Sequence, residues 1–266
     1  GSTGYDVIVP SDYMVQQMIE LNLLQDIGVI DFPNAKFIKP EAVNVPFDDG
    51  RKYTAPYMYG TTGIICNPVA EPRCNDIKSW KDFFTFNLDK TDAMKDQVEI
   101  VSSALRATGV SAADLCTTDK EKYIAAQELL SGFKPDVIDS DGSLERMIGG
   151  TSNVRQNWNG DSHRMKVENP NLIYIYPSEG LNQWSDHFAV PVGAPNVDNA
   201  KIFINWMMDP KNIAMETNFT GYDNSITAGT NTQTVRKKVG IWNDPSKHSP
   251  APSTTAQTKR YVTSWE

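Results

Sequence analysis

The sequence predicts an α/β fold built on a mostly parallel sheet. Short apolar runs that stop at proline alternate with longer segments of helical period. The runs at residues 5–9, 172–176 and 187–190 end at Pro10, Pro177 and Pro191. The helical segments between them are closed by Gly109, Gly132 and Gly149, residues that suit the left-handed turn after a helix.

The elements follow in order. Residues 5–9 read as a buried strand. A helix comes next, with Met14, Met18 and Leu21 on one stripe and Val15 and Ile19 beside it. Pro33, Pro40 and Pro46 keep any helix from running through the loop at 31–49. Residues 52–59 and 64–67 form two strand-like runs separated by Gly60, Thr61, Thr62 and Gly63, as suits a strand that leaves one lobe for another. Ser79 and Asp82 are spaced to cap a short helix that starts near Trp80. Val98, Val101, Ala104 and Leu105 recur at helical spacing within 96–108. Further helices are expected at 120–130, 144–148, 199–208 and 212–219. A strand end is expected at 154–158 and a buried strand at 172–176. A Ser/Pro/Thr loop at 246–255 and a terminal helix at 257–265 close the chain.

With 266 residues the chain can bury one large core or two smaller ones. Hydrophobic residues make up 39% and charged residues 22%, and the net charge is −8. This balance argues against nucleic acid, whose binders carry basic patches, and is compatible with cationic ligands. No stretch reaches the roughly 18 apolar residues of a membrane span, and no signal sequence is visible. Cys66, Cys74 and Cys116 form no metal-binding pattern. Cys66 and Cys74 flank a turn and could pair, but reduced or buried thiols are the default expectation for all three.

Several residues could carry chemistry. Ser11, Asp12 and Tyr13 follow the first strand, at the carboxyl end where open α/β sheets bind ligands. Asp96 and Glu99 stand three apart at a helix start, which places two acids on one face. They suit an ammonium ligand, an acid/base pair or a solvated first turn. If the strand at 187–190 begins at Trp184, then Trp184 and Asp186 share one face. An indole beside a carboxylate suits an alkylammonium, through a charge-assisted hydrogen bond and a cation–π contact. Trp158, and Tyr222 with Asp223, follow a strand and a helix, where each could line a ligand or merely end the element. Sequence signatures of a nucleophile elbow, a phosphate loop, a dinucleotide fold or a metal site are missing.

These candidates stand in the order of a known family. Gly4-Tyr5-Asp6-Val7-Ile8-Val9-Pro10-Ser11, Pro56-Tyr57-Met58-Tyr59-Gly60-Thr61-Thr62-Gly63, Asp96-Gln97-Val98-Glu99, Trp158-Asn159-Gly160, Pro177-Ser178-Glu179-Gly180 with Trp184-Ser185-Asp186, and Gly221-Tyr222 together resemble the periplasmic polyamine-binding proteins, spermidine/putrescine receptors of bacterial uptake systems. The resemblance implies a two-lobed periplasmic-binding-protein fold with a hinge and an inter-lobe cleft. It places residues 1–66 and 190–235 in one lobe, and 67–189 and 236–266 in the other.

The resemblance also implies a function and a site. A polyamine would be captured outside the cytoplasm for an ABC permease by a monomer with no cofactor, metal or catalytic residue. The protein would be periplasmic or an extracytoplasmic lipoprotein. Asp186 would anchor one amine, and Asp96 with Glu99 another. Trp184, Trp158, Tyr13 and Tyr222 would form aromatic walls, and Ser11 would line the site. Two features depart from the family. The strand, aromatic loop and helix that precede the first block in the family are missing here, which suggests an N-terminally shortened form. Asp12 adds an acid that could alter the preferred ligand length. The rival readings are the same fold with another organic cation or amino-acid-like ligand, a polyamine-sensing receptor, and an acid/base enzyme.

Overall fold

A computed structural model describes residues 4–115 and 117–226. Cys116, the loop expected at 246–255, the helix expected at 257–265 and the lobe assignment of 227–266 lie outside the described residues. The chain forms two compact units. Among the described residues, unit 1 comprises 4–59 and 184–226, and unit 2 comprises 60–183.

Unit 1 opens differently from expectation. Residues 5–9 form no regular buried strand. Ile8 makes a single antiparallel bridge to Ala189, while Tyr5 and Val9 are exposed. The cause is local. Pro10 has no amide to continue a ladder, so it contributes only its carbonyl, to the amide of His187. Asp6 turns aside to accept from the backbone and side chain of Asn196. Helix α1 (Asp12–Glu20) follows. Its inward stripe is Val15, Met18 and Ile19, packed with Leu24 and Ala189. Met14 and Leu21, placed on the expected stripe, are exposed. The inward stripe is therefore a tight i, i+3, i+4 set.

No α-helix crosses the proline-rich loop, which folds as short 3-10 turns at Val29–Asp31, Ala35–Phe37 and Pro40–Ala42. The loop ends on a buried carboxylate. Asp48 accepts from the amides of Lys52, Tyr53 and Thr54 and from the Thr54 hydroxyl. That clamp sets the start of strand β1 (Thr54–Cys66), one continuous strand rather than two runs. The chain passes from unit 1 to unit 2 within β1, after Tyr59.

In unit 2, helix α2 (Trp80–Thr85) is capped by Ser79, whose hydroxyl accepts from Asp82 N. Strand β2 (Thr91–Ala93) leads into α3 (Gln97–Ala107) and α4 (Lys120–Gly132). Then come β3 (Val137–Ile138), α5 (Ser143–Ile148), β4 (Val154–Trp158), α6 (Asn159–Glu168) and β5 (Ile173–Ile175). The strand order is β3-β2-β4-β1-β5. The sheet is mixed, not mostly parallel. β2 runs parallel to β3 and β4, but β1 is antiparallel to both β4 and β5. The parallel strands are joined through helices, as parallel pairing requires. β1 arrives directly from unit 1, without such a crossover.

β5 is half-buried rather than buried. Its Tyr174 ring lies on Gly63 of β1, where a Cβ would stand 2.7 Å from the ring, so only glycine fits. Cys66 and Cys74 form a disulfide, with Cα atoms 5.8 Å apart. This overturns the expectation of reduced thiols. The turn between them brings the end of β1 and Cys74 within bridging reach, and both sulfurs join a core of Ile64, Trp80, Phe83, Leu105 and Val154.

Strand β6 (Asn182–Ala189) returns the chain to unit 1 at Trp184. It starts earlier than the run at 187–190 suggested. Helices α7 (Val197–Met207) and α8 (Pro210–Thr220) follow, and β7 (Asp223–Asn224) pairs with Met58 and Tyr59 of β1. Phe188, Val190, Ile204, Met207 and Met58 lie in the unit 1 core.

Candidate functional site

Unit 1 gathers six of the nine candidate residues around the start of α1 and the front of β6. Ser11 pairs with Asp186 across an antiparallel bridge, and its hydroxyl donates to Asp186 Oδ1 at 2.7 Å. Because β6 is already extended at Trp184, side-chain alternation puts Trp184 and Asp186 on one face. Tyr222 meets Trp184 edge to face, with centroids 5.1 Å apart and planes at 73°. Gly221 makes this possible. It ends α8 in the left-handed conformation, at φ 81°, and turns the chain directly into Tyr222. Ser11, Asp12, Tyr13, Trp184, Asp186 and Tyr222 are all half-buried.

The two acids of this cluster are electrostatically unusual. Burial pushes the Asp186 carboxyl above its ordinary range, against the stabilising bond from Ser11. Asp12 is pushed up to about 7, first by burial and further by the charge of Asp186. The amide of Tyr13 and the hydroxyl of Ser185 oppose that shift. Burial of a carboxylate is costly unless a cation or hydrogen-bond donors compensate it.

Unit 2 holds the other three. Asp96 is the N-cap of α3, and its Oδ1 accepts from the amides of Val98 and Glu99. Glu99 is buried. Its Oε2 accepts from Asn182 Nδ2 at 2.8 Å, while Arg106 Nε donates to Asn182 Oδ1. Asp96 and Glu99 thus do not form a free pair on one exposed helix face. Trp158 ends β4 and caps α6 directly, with no loop between, and it is half-buried. Its neighbour Asn159 accepts from Thr61 N at 3.1 Å. Among the described residues, no group of three or more His, Cys, Asp or Glu is placed to hold a metal ion. No helix among them is long and apolar enough to cross a membrane.

Sequence reasoning missed the layer behind the acids. Arg51, fully buried, donates to the Ala42 carbonyl, the Thr54 hydroxyl and His187 Nδ1. His187 Nε2 lies 2.9 Å from Ser185 Oγ, and Ser185 reaches Asp12 Oδ2 at 3.4 Å. The available signal was the alternation in Trp184-Ser185-Asp186-His187, which puts a polar pair behind the indole and carboxylate pair. Also missed were two acid-bound tyrosines. Tyr59 donates to Asp223, and Tyr57 donates to Glu216. Burial and Glu216 push the Tyr57 phenol up to about 12.

Residues 1–245 match the family described as bacterial extracellular solute-binding protein. The chain belongs to that family. The solute-binding family is one of substrate-binding proteins for transport. Among relatives, the spermidine/putrescine-binding periplasmic protein 1 of Haemophilus influenzae is 32% identical over 84% of this chain and 62% of its own length. The spermidine/putrescine-binding periplasmic protein of Salmonella typhimurium is 32% identical over 78% of this chain and 59% of its own. This solute-binding chain therefore spans about six tenths of those relatives. A candidate spermidine/putrescine ABC transporter from Listeria monocytogenes superposes with a TM-score of 0.82 at 29% identity, over 93% of this chain and 77% of the other. The expected fold, the two-lobed α/β architecture of ABC substrate-binding proteins, is the fold observed.

Proposed function

We propose that this protein captures a polyamine of the putrescine/spermidine class outside the cytoplasm and delivers it to an ABC permease, without catalysing a reaction. One observation carries the reading. Asp186 and Trp184 share a face of β6, with Ser11 on the carboxylate and Tyr222 on the indole. A carboxylate meets an ammonium with a charge-assisted bond. The aromatic rings cover methylenes and add a cation–π attraction of about 0.5–2 kcal/mol. The names of the relatives support the same ligand class. The disulfide supports an oxidising compartment.

In this reading Asp186 is the amine anchor, Trp184, Tyr222 and Tyr13 are walls, and Ser11 holds the anchor in place. Trp158 supplies a further ring. Glu99, with its acceptor bond from Asn182, and Asp96, occupied at its cap, are weaker anchors than Asp186. Titration calorimetry with putrescine, spermidine and spermine tests the proposal, comparing the native protein with Asp186→Ala. Binding of at least one polyamine that the substitution weakens 100-fold or more supports it. No binding by the native protein, or unchanged affinity in the variant, refutes it.

A further inference from the structure

Two half-buried acids of unit 1 are held by hydroxyls alone. Asp186 accepts from Ser11, and Glu216, on α8, accepts from the Tyr57 hydroxyl at 3.3 Å. Among the described residues, neither forms an ion pair with a basic side chain. A buried charge ordinarily has such a partner. Both acids stand at one patch of the fold. β6 pairs with β1. On β6, alternation puts Trp184, Asp186 and Phe188 on one face. Tyr57 of β1 lays its ring against Phe188, with centroids 4.5 Å apart, and Tyr222 lays its ring against Trp184. The two ring contacts thus bracket Asp186. α8 ties them together, since it carries Glu216 to Tyr57 and leads through Gly221 into Tyr222. The Tyr57 phenol feels the charge of Glu216 and also that of Asp186.

The neighbouring pair shows what a tyrosine and an acid can hold. Tyr59, two residues on along β1, donates to Asp223. The Lys39 ammonium lies over the Tyr59 ring, 5.3 Å from its centroid, and donates to the Asn224 carbonyl at 2.7 Å. An alkylammonium therefore sits on the face of a tyrosine whose hydroxyl is bound to a carboxylate. Tyr57 and Glu216 repeat the tyrosine and the acid. Among the described residues, no Lys or Arg lies over the Tyr57 ring.

We propose that Tyr57 and Glu216 form a second ammonium subsite on unit 1, which takes the next nitrogen of a ligand whose first amine rests on Asp186. The inference rests on the proposed amine-binding role of Asp186. One repeat of extended strand, about 6.6 Å, separates Asp186 from Phe188, against which the Tyr57 ring lies. A four-methylene spacer between two nitrogens covers a step of that size. A ligand so spaced gives one positive charge to each carboxylate, and its methylenes cross beside the rings. Tyr57 has two tasks. Its ring faces the cation, and its hydroxyl holds the Glu216 carboxylate in place. A monoamine fills only the Asp186 subsite, so Tyr57 and Glu216 select for diamines and longer polyamines.

Calorimetry with putrescine and spermidine tests the proposal, comparing the native protein with Glu216→Gln, Glu216→Asp and Tyr57→Phe. Circular-dichroism melts check that each variant is folded. Glu216→Gln should weaken both ligands about tenfold or more, the loss of one charge-assisted bond. It should also flatten the fall of affinity with added salt. Glu216→Asp should recover part of the affinity, and Tyr57→Phe, which keeps the ring, should cost less than Glu216→Gln. If Asp186→Ala weakens binding and Glu216→Gln does not, the anchor stands and the second subsite is overturned. A loss in Glu216→Gln with the native salt dependence also overturns it, because removing an acid that meets no ligand charge leaves that dependence unchanged. Absence of binding by the native protein removes the amine-binding reading itself, and the second subsite with it.

Discussion

Reducing the Cys66–Cys74 disulfide should destabilise the protein by about 2.5 kcal/mol. The two cysteines are eight residues apart, and restoring the freedom of so short a loop to the unfolded chain gives that figure at 25 °C. Both sulfurs are fully buried in the unit 2 core, so reduction removes the cross-link and little packing. For a unit of this size the loss corresponds to about 5–10 °C in Tm. Thermal melts followed by circular dichroism, with and without reductant, measure it. A thiol titration of the denatured, unreduced protein provides the companion reading. One reactive thiol per chain is expected of the three cysteines. Three reactive thiols, or identical melts, would refute the reasoning.

Three further outcomes are expected. Asp92→Ala should cost about 3–5 kcal/mol, because it leaves the fully buried Arg155 guanidinium without its carboxylate; urea melts measure it, and a loss under 1 kcal/mol would contradict the buried ion pair. Gly63→Ala should destabilise by about 1–3 kcal/mol, since the added methyl meets the Tyr174 ring and the Ile175 carbonyl; an unchanged melt would mean that β5 does not lie against β1 there. Trp184→Ala should weaken polyamine binding by about 0.5–2 kcal/mol from the lost cation–π contact alone, whereas Trp184→Phe should retain part of it; equal affinities in calorimetry would exclude a ligand-facing ring.

The sequence showed some elements clearly and others not. α5, α7 and α8 were legible because an apolar period coincided with a clear stop. The extended start of β6 was foreseen as a condition, and it is what unites Trp184 with Asp186. The opening run failed for a reason specific to sheets. Its composition reads as a strand, but Pro10 and the diversion of Asp6 to Asn196 leave it one bridge. The antiparallel setting of β1 was hidden because strand direction depends on what precedes a strand in space. The spacing of Asp96 and Glu99 showed two acids at a helix start, but not that Asp96 caps the helix through the amides of Val98 and Glu99, since an N-cap and any other first-turn acid look alike in sequence. The Arg51–His187–Ser185 relay joins residues 136 apart, a distance no local pattern spans.

A crystal structure with spermidine bound tests the central claim most directly. An ammonium nitrogen within about 3 Å of the Asp186 carboxylate, with the methylene chain against Trp184 and Tyr222, is the predicted result. Spermidine bound away from Asp186 and Trp184 would contradict the account.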